Sequence, residues 1–515
     1  MIISNIKIYD NISNEEAFRY ACKKNRINLN EVIEWHITKK SVDARKKDDI
    51  HFSYSFDLLM QGEKKEEKKN LLLVDSKKEL HNRPIVIGAG PAGLFSAYTL
   101  AVNGYKPILL EQGKCVEERE KDVEEFINNR RLNPNSNIQF GEGGAGTFSD
   151  GKLTTNVNSE LNRTVLETFV KFGAPEEILY LSKPHIGTDN LRRVVKNIRE
   201  EIIRLGGVVR FNTKVIDFDI QNERIVAVIT NTNERIEADN VILAIGHSAR
   251  STFERLYELK AKMEPKPFSA GVRIEHLQEM IDKAQYGDNL KLKLPPAEYK
   301  MAYHDEDGRS CYTFCMCPGG YVMASSSEEE TIVTNGMSYF KRDGENANSA
   351  LLVSVTPDDY MKDENPLNGV YFQKELERKA YIMAGGNYNA PAQRLGDYFN
   401  ATGIGNKGPQ PTYKPGVTYC DLNELFPDFI NKTMKKGIKY FGTKLKLFDD
   451  DNAVLTAVES RSSSPVRIVR DENMNSSIIG IHPCGEGAGY AGGIMTSAID
   501  GVRVAKAIIS KKTNT

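Results

Sequence analysis

The chain has 515 residues, with 69 Lys and Arg against 70 Asp and Glu for a formal charge of −1. So even a balance gives no overall pull toward nucleic acid or an anionic bilayer, and the length allows two or three domains with ample core. No apolar run approaches the roughly 20 residues of a membrane span, the first residues lack a signal-peptide pattern, and seven cysteines without an export signal read as reduced thiols of a cytoplasmic protein.

In chain order, residues 3–8 alternate like a strand, and "SNEEAFRYACKKN" follows as a helix with Ser13 as N-cap and Glu16 completing a capping box. "EVIEWHITKKSV" and "IHFSYSFDLLM" read as two more strands of a small α+β domain over 1–75. Its basic "KKSVDARKK" reads as a solvated strand end, with RNA binding as the alternative, and 61–70 reads as a charged linker.

The pattern changes at "RPIVIGAGPAGLFSAYTLAVNGYKPILLEQG", 83–113. A short apolar strand, a glycine turn, a helix ending at Gly104 and a second apolar strand make a β-α-β unit. Residues 206–246 hold four short β-rich runs, expected as a small antiparallel meander returning to a core strand at Val241–Ile245. The region 262–474 mixes strands, helices and Gly/Pro-rich loops, as a substrate domain would, and a last glycine run at 485–493 enters a helix. The expected architecture is α/β: a Rossmann-like domain of 81–261 and 475–515, a mixed α+β substrate domain of 262–474, and the small N-terminal domain.

G-x-G-x-x-G occurs three times. The copy Gly88/Gly90/Gly93, with Pro91 and Ala92 inside it, follows a strand and opens a helix. Gly88 permits the turn, Gly90 lets backbone approach a pyrophosphate, and Gly93 lets helix and strand pack closely, while the helix start offers N–H groups and a positive dipole end. Glu111, beside Gln112, ends the next strand; its carboxylate would accept ribose hydroxyls and repel a 2′-phosphate, which points to FAD or NAD rather than NADP. The copy Gly403/Gly405/Gly408 has Pro409 and Pro411 where a helix would start and reads as a loop. The copy in "GEGGAGTFSDGKLTT" has no leading strand, yet Gly143 and Gly144 would let backbone lie flat against a planar ligand. Near the C-terminus "CGEGAGYAGGIM" makes a second glycine-rich helix start, as a two-ended ligand requires, with a flavin edge over Gly492, Gly493 and Ile494, and Gly485 and Glu486 beside its ribityl chain.

Together GAGPAG, Glu111, "ADNVILAIGHSA" and "GEGAGYAGGI" resemble the glutathione-reductase-like two-dinucleotide-binding flavoproteins. With "KPHIGTDNL", "FSAGVRIEH", "FCMCPGGYVMA" and "ESRSSSPVRIVRDE", most of the chain from about residue 83 resembles a bacterial family usually called FAD-dependent dehydrogenases, whose substrate is not established. The resemblance implies non-covalent FAD and adds Val215, as a backbone contact to adenine, and Gly246 to the cofactor residues. It supplies no second nicotinamide-binding domain, so NAD(P)H would bind only transiently.

For the chemistry itself the candidates are His276, Arg461, Lys152 and Cys315. His276 ends an apolar strand, with Arg273 and Glu275 on its other face. Arg461 and Arg467 flank three serines, a setting for a carboxylate or phosphate. Lys152 follows the glycine loop, and His185 precedes a helix, more simply as a structural residue. In "CYTFCMCPGG" strand alternation puts Cys311, Thr313, Cys315 and Cys317 on one face, with "YVMAS" as the return strand of a hairpin. No Cys/His spacing suits a metal. The leading expectation is an FAD-dependent oxidoreductase passing hydride to or from a small organic substrate, with neither membrane nor nucleic acid as partner. The alternatives are an RNA-modifying flavoprotein and a non-catalytic flavin-binding sensor.

Overall fold

The computed structural model describes residues 1–65, 69–288, 292–400 and 408–511. Gly403 and Gly405 of the third glycine motif and 66–68 of the charged linker lie outside these residues.

Near the N-terminus the strands Ile2–Ile8, His51–Met60 and Val32–Asp43 form an antiparallel sheet with His51–Met60 in the middle. Helix Asn14–Lys24 starts as its sequence implies: Glu16 N–H donates to Ser13 Oγ (3.2 Å) and Ser13 N–H donates to Glu16 Oε2 (2.8 Å). Its Phe18 stacks on Trp35 at 4.4 Å. Inside "KKSVDARKK", Lys40 is spent on docking: its N–H donates to Tyr180 O and its C=O accepts from Ser182 N–H. Its ammonium lies 5.0 Å from the Tyr54 ring.

Five three-residue strands form a parallel sheet in the order Ile481–Pro483, Val241–Leu243, Ile85–Ile87, Ile108–Leu110, Val208–Arg210. The first four are almost wholly apolar because helices or other strands cover both faces, the usual condition of parallel sheets. Helices Pro91–Val102 and Ile494–Ile509 cross at a small-residue contact, where a Cβ on Gly501 would stand 2.2 Å from Ala92 O. The meander expected over 206–246 is three-stranded, Val215–Gln221, Arg224–Thr230 and Arg235–Glu237. The first run, Val208–Arg210, instead joins the parallel sheet.

Between the strands Val241–Leu243 and Ile481–Pro483 the chain builds a seven-stranded sheet. Its order is Ala302–His304, Ser310–Cys317, Asn346–Val355, Phe268–Leu277, Val454–Glu459, Ala390–Arg394, Val417–Tyr419, antiparallel except for the last pair. Helix Asp428–Lys444 packs on it, so closely that a Cβ on Gly437 would stand 2.6 Å from Cys311 Sγ. The expected Cys311–Ala324 hairpin does not form. Ser310–Cys317 pairs with Asn346–Val355, while Tyr321–Ala324 pairs with Thr334–Met337 as a separate ribbon. Among the described residues no helix is long and apolar enough to cross a membrane, and no cluster of His, Cys, Asp and Glu could hold a metal.

Candidate cofactor and substrate cavity

Parallel strands aim their carboxyl ends the same way, and the crevice beyond those ends is where such sheets bind ligands. Here Ile87, Leu110, Leu243 and Pro483 run directly into Gly88, Glu111, Ala244 and Cys484, and all four of these line one cavity. With its mouth, the cavity encloses about 1700 Å³ of non-protein space.

The glycine turn explains its own sequence. Gly88 has φ +97°, and a Cβ on Gly93 would stand 1.8 Å from Gly88 O. Gly90 caps helix Pro91–Val102 and Gly493 caps helix Ile494–Ile509, neither with a side-chain acceptor for the first-turn N–H groups. Both helix starts open on the cavity. The second glycine loop bridges them: Gly143 N–H donates to Ala89 O (2.8 Å), Gly144 lies against Gly90, and Gly146 against Ile494. A Cβ on Gly246, Gly492 or Gly493 would meet no protein atom within 4 Å; all three line the cavity.

Glu111 is buried and its carboxylate organises this end. Ala89 N–H donates to Oε2 (2.7 Å), and Gly113 and Gly141 N–H donate to Oε1 (2.9 and 3.0 Å). Beneath the loop, the fully buried Arg119 donates to the carbonyls of Asn137, Ile138 and Glu142 at 2.6–2.8 Å. Burial pushes its guanidinium down to about 10. Glu142 Oε2 accepts from Val116 N–H and Arg199, yet burial dominates and pushes the carboxyl up to about 7.

Of the expected cofactor residues, Gly88, Gly90, Pro91, Ala92, Glu111, Gln112, Gly144, Val215, Gly246, Glu486, Gly492, Gly493 and Ile494 line this one cavity. Gly93, Gly143 and Gly485 stand behind its wall, where their missing side chains allow close packing against Gly88, Thr147 and Ala92.

The expected chemical residues separate. Lys152 and Cys315 line the cavity. Arg461 lines it too, but four of its five N–H donors are spent: it holds Glu377 through two nitrogens (2.9 and 2.7 Å) and donates to Ser248 and Ser327. Glu377, fully buried, is also gripped twice by Arg250, so Arg461 is a structural ion-pair member, not a free anion clamp. Arg467 instead stacks on Tyr490 at 5.5 Å. His276 does not reach the cavity; it is buried, with Nε2 on Phe448 O (2.8 Å), and burial lowers its pKa. His185 likewise bonds Phe340 O and stacks on that ring. Arg273 pairs with Glu459 rather than Glu275, whose carboxylate accepts from Thr412 and Asn346.

Sequence reasoning missed Gln139, His247, Phe314, Thr334 and Asn335, all cavity-lining. His247 Nδ1 faces Glu486 Oε1 at 3.2 Å, and its buried Nε2 has no partner among the described residues. Its place directly after Gly246 was the one available signal.

Residues 82–254 match the pyridine nucleotide-disulphide oxidoreductase family model. Residues 267–462 match "FAD-dependent protein, C-terminal domain-like", and residues 3–59 match a domain of unknown function. An "Uncharacterized protein" of Clostridium beijerinckii is 45% identical over 509 residues, 95% of each chain. The thiamine thiazole synthase of Thermotoga maritima is 26% identical over 146 residues, 28% of this chain and 45% of its own. Among solved structures, a Bacillus cereus glycine oxidase overlaps with TM-score 0.32 at 12% identity, over 84% of this chain and 100% of its own. The L-proline dehydrogenase of P. horikoshii overlaps with TM-score 0.35 at 12% identity, over 83% and 93%. The chain belongs with its Clostridium relative to a family of bacterial FAD-dependent oxidoreductases.

Proposed function

We propose that the chain holds FAD non-covalently along this cavity and that a small organic substrate is oxidised or reduced at the end lined by Lys152 and Cys315. The observation that carries the reading is the pair of helix starts, each capped by glycine without a side-chain acceptor, facing one cavity whose glycines leave open space. Such starts bind anions and anionic ring edges through free N–H groups and the helix dipole.

On this reading the turn Gly88–Gly93 takes the pyrophosphate and the backbone of Val215 lies against adenine. One oxygen of Glu111 that already accepts from Ala89 N–H keeps a lone pair for a ribose hydroxyl and would repel a 2′-phosphate. Glu486, braced by His247, faces the ribityl chain, and Gly492, Gly493 and Ile494 lie under the flavin edge. Bound FAD supplies two-electron hydride chemistry. The protein's part is to bind, orient and exclude water, with three buried ion pairs fixing the far wall: Arg273–Glu459, Arg461–Glu377 and Arg342–Asp150. The chain divides accordingly into a cofactor domain of 81–261 and 475–515, a substrate domain of 262–474 and an N-terminal domain of 1–75. NAD(P)H is a transient partner at most.

The test is to purify the protein, identify the released cofactor, and follow flavin bleaching without oxygen against a metabolite panel and NAD(P)H. A purified protein that neither carries nor takes up FAD refutes the proposal.

A further inference from the structure

Arg273 is the fixed point of the far wall. It is fully buried, and both carboxylate oxygens of Glu459 accept from it, Oε1 at 2.9 Å. Nη1 donates to Cys315 O (2.9 Å) and Asn348 Oδ1 (3.2 Å), and Nη2 to Asn335 Oδ1 (3.2 Å). All five N–H donors of the guanidinium are thereby spent. Cys315 stands at a bulge, where Ser310–Cys317 slips register against Asn346–Val355 between Phe314 and Cys317. Lys152 Nζ donates to Met316 O on the same bulge. Bulges re-aim side chains, and this one leaves Cys315 exposed on the cavity while Cys311 and Cys317 are buried.

The ribbon strand Thr334–Met337 is pressed onto this guanidinium. A Cβ on Gly336 would stand 2.5 Å from Arg273 Nη1 and 2.5 Å from Asn348 Oδ1, so glycine permits the approach. The approach fixes its neighbour. Asn335 Oδ1 accepts from Arg273 Nη2 and from Gly336 N–H (2.8 Å). Both contacts are donors, so they can meet only the amide oxygen, and the NH₂ group must point the other way. Asn335 is half-buried and lines the cavity, and its Nδ2 has no partner among the described residues. Unlike the sealed hydroxyl of Thr334 beside it, Nδ2 keeps accessible surface. The wall therefore holds open one oriented donor, the kind of group that fixes a ligand in an otherwise apolar site.

Charge selects the acceptor. The cations of this wall are matched, Arg273 by Glu459, and Arg461 and Arg250 by Glu377 and Glu328. Lys152 is held by Met316 O, with Asp150 (3.9 Å) and Glu298 (3.7 Å) beside it. A carboxylate brought against Asn335 would lose its water without gaining a cation of its own. An uncharged carbonyl oxygen loses less and takes the same hydrogen bond. Phe314 and Val333, which also line the cavity, offer apolar surface to the carbon body.

We propose that Asn335 sets substrate specificity, donating from Nδ2 to an uncharged carbonyl oxygen and so selecting ketones and aldehydes over carboxylates. Arg273 is its positioning residue, holding the amide oxygen so that the nitrogen stays turned to the cavity. This rests on the FAD reading of the rest of the cavity.

Acetophenone, benzoate and benzylamine test it, because they share a ring and present an uncharged acceptor, an anion and a cationic donor. The FAD-loaded protein is titrated with each, and binding is read from the ligand's own NMR signals. The expected result is that acetophenone binds at least about fivefold tighter than benzoate. Asn335→Asp keeps an oxygen for Arg273 but turns the open donor into a charged acceptor. Acetophenone should then weaken and benzylamine tighten, each by about tenfold, with FAD content unchanged. A residue that only shaped the wall would not reverse that order. Acetophenone no tighter than benzoate, none of the three binding, or an order unchanged in Asn335→Asp overturns the proposal. FAD content is measured separately, so a protein without cofactor refutes the FAD reading on its own evidence, while the ligand signals still report on Asn335.

Discussion

Replacing Glu111 by Gln isolates the residue on which the cofactor end is built. The two carboxylate oxygens accept three backbone N–H groups, two on Oε1 and one on Oε2. A glutamine offers one oxygen, so its NH₂ must face at least one of those donors. If the oxygen keeps the Gly113 and Gly141 bonds, the buried Ala89 N–H is orphaned, which costs about 1–3 kcal/mol. The two surviving bonds lose their charge assistance, about 1 kcal/mol each. The sum is about 3–5 kcal/mol, a large share of the roughly 5–15 kcal/mol that stabilises a domain. Thermal unfolding of the cofactor-free protein should therefore shift down by about 6–20 °C. FAD affinity, read by flavin fluorescence quenching, should fall at least about tenfold, because Ala89 lies inside the turn proposed to take the pyrophosphate. A Glu111→Gln protein that melts within about 2 °C of the parent and binds FAD within about twofold would refute this account of the turn.

Other substitutions separate packing from ligand space. Gly492→Ala meets no protein atom within 4 Å, so the melting temperature should hold while FAD affinity drops at least about tenfold by titration. Gly93→Ala puts a Cβ 1.8 Å from Gly88 O, and should yield protein with no bound flavin absorbance. Glu142 is pushed up to about 7 by burial. The folded state then binds more protons than the unfolded one, so stability falls as pH rises toward about 7 and levels off above it, a loss of about 3 kcal/mol. Urea unfolding of Glu142→Gln should lack this dependence. The Cys315 thiol is exposed to the cavity, yet the protein walls around it desolvate the thiolate and push it up to about 12, so its alkylation rate should still be climbing at about pH 10, where a free thiol of pKa about 8.5 has levelled off.

The parts legible in the sequence were those written locally. Ser13 and Glu16 make their capping box because both halves lie within one turn. The Gly88–Gly93 turn is readable because strand, turn and helix are contiguous, and Glu111 follows at the next strand end. What failed depended on partners far along the chain. The Cys315 bulge is held by Arg273 and Lys152, so strand alternation alone misplaces Cys315. Arg461 reads as an anion clamp until Glu377, 84 residues earlier, is seen to consume it. Alternation sets His276 opposite Arg273, but nothing local reveals that its side chain bonds and packs against Phe448.

The parallel pairing of Val241–Leu243 with Ile481–Pro483 carries a consequence for assembly. One helix start at the cavity is made with residues 88–102, while the other, Gly493 onward, leaves the ribosome only after the whole seven-stranded sheet has been translated. A nascent chain holds half a cradle for most of its synthesis. On the proposed binding mode, cofactor capture waits until the inserted segment has emerged, because a chain halted within it has no second helix start.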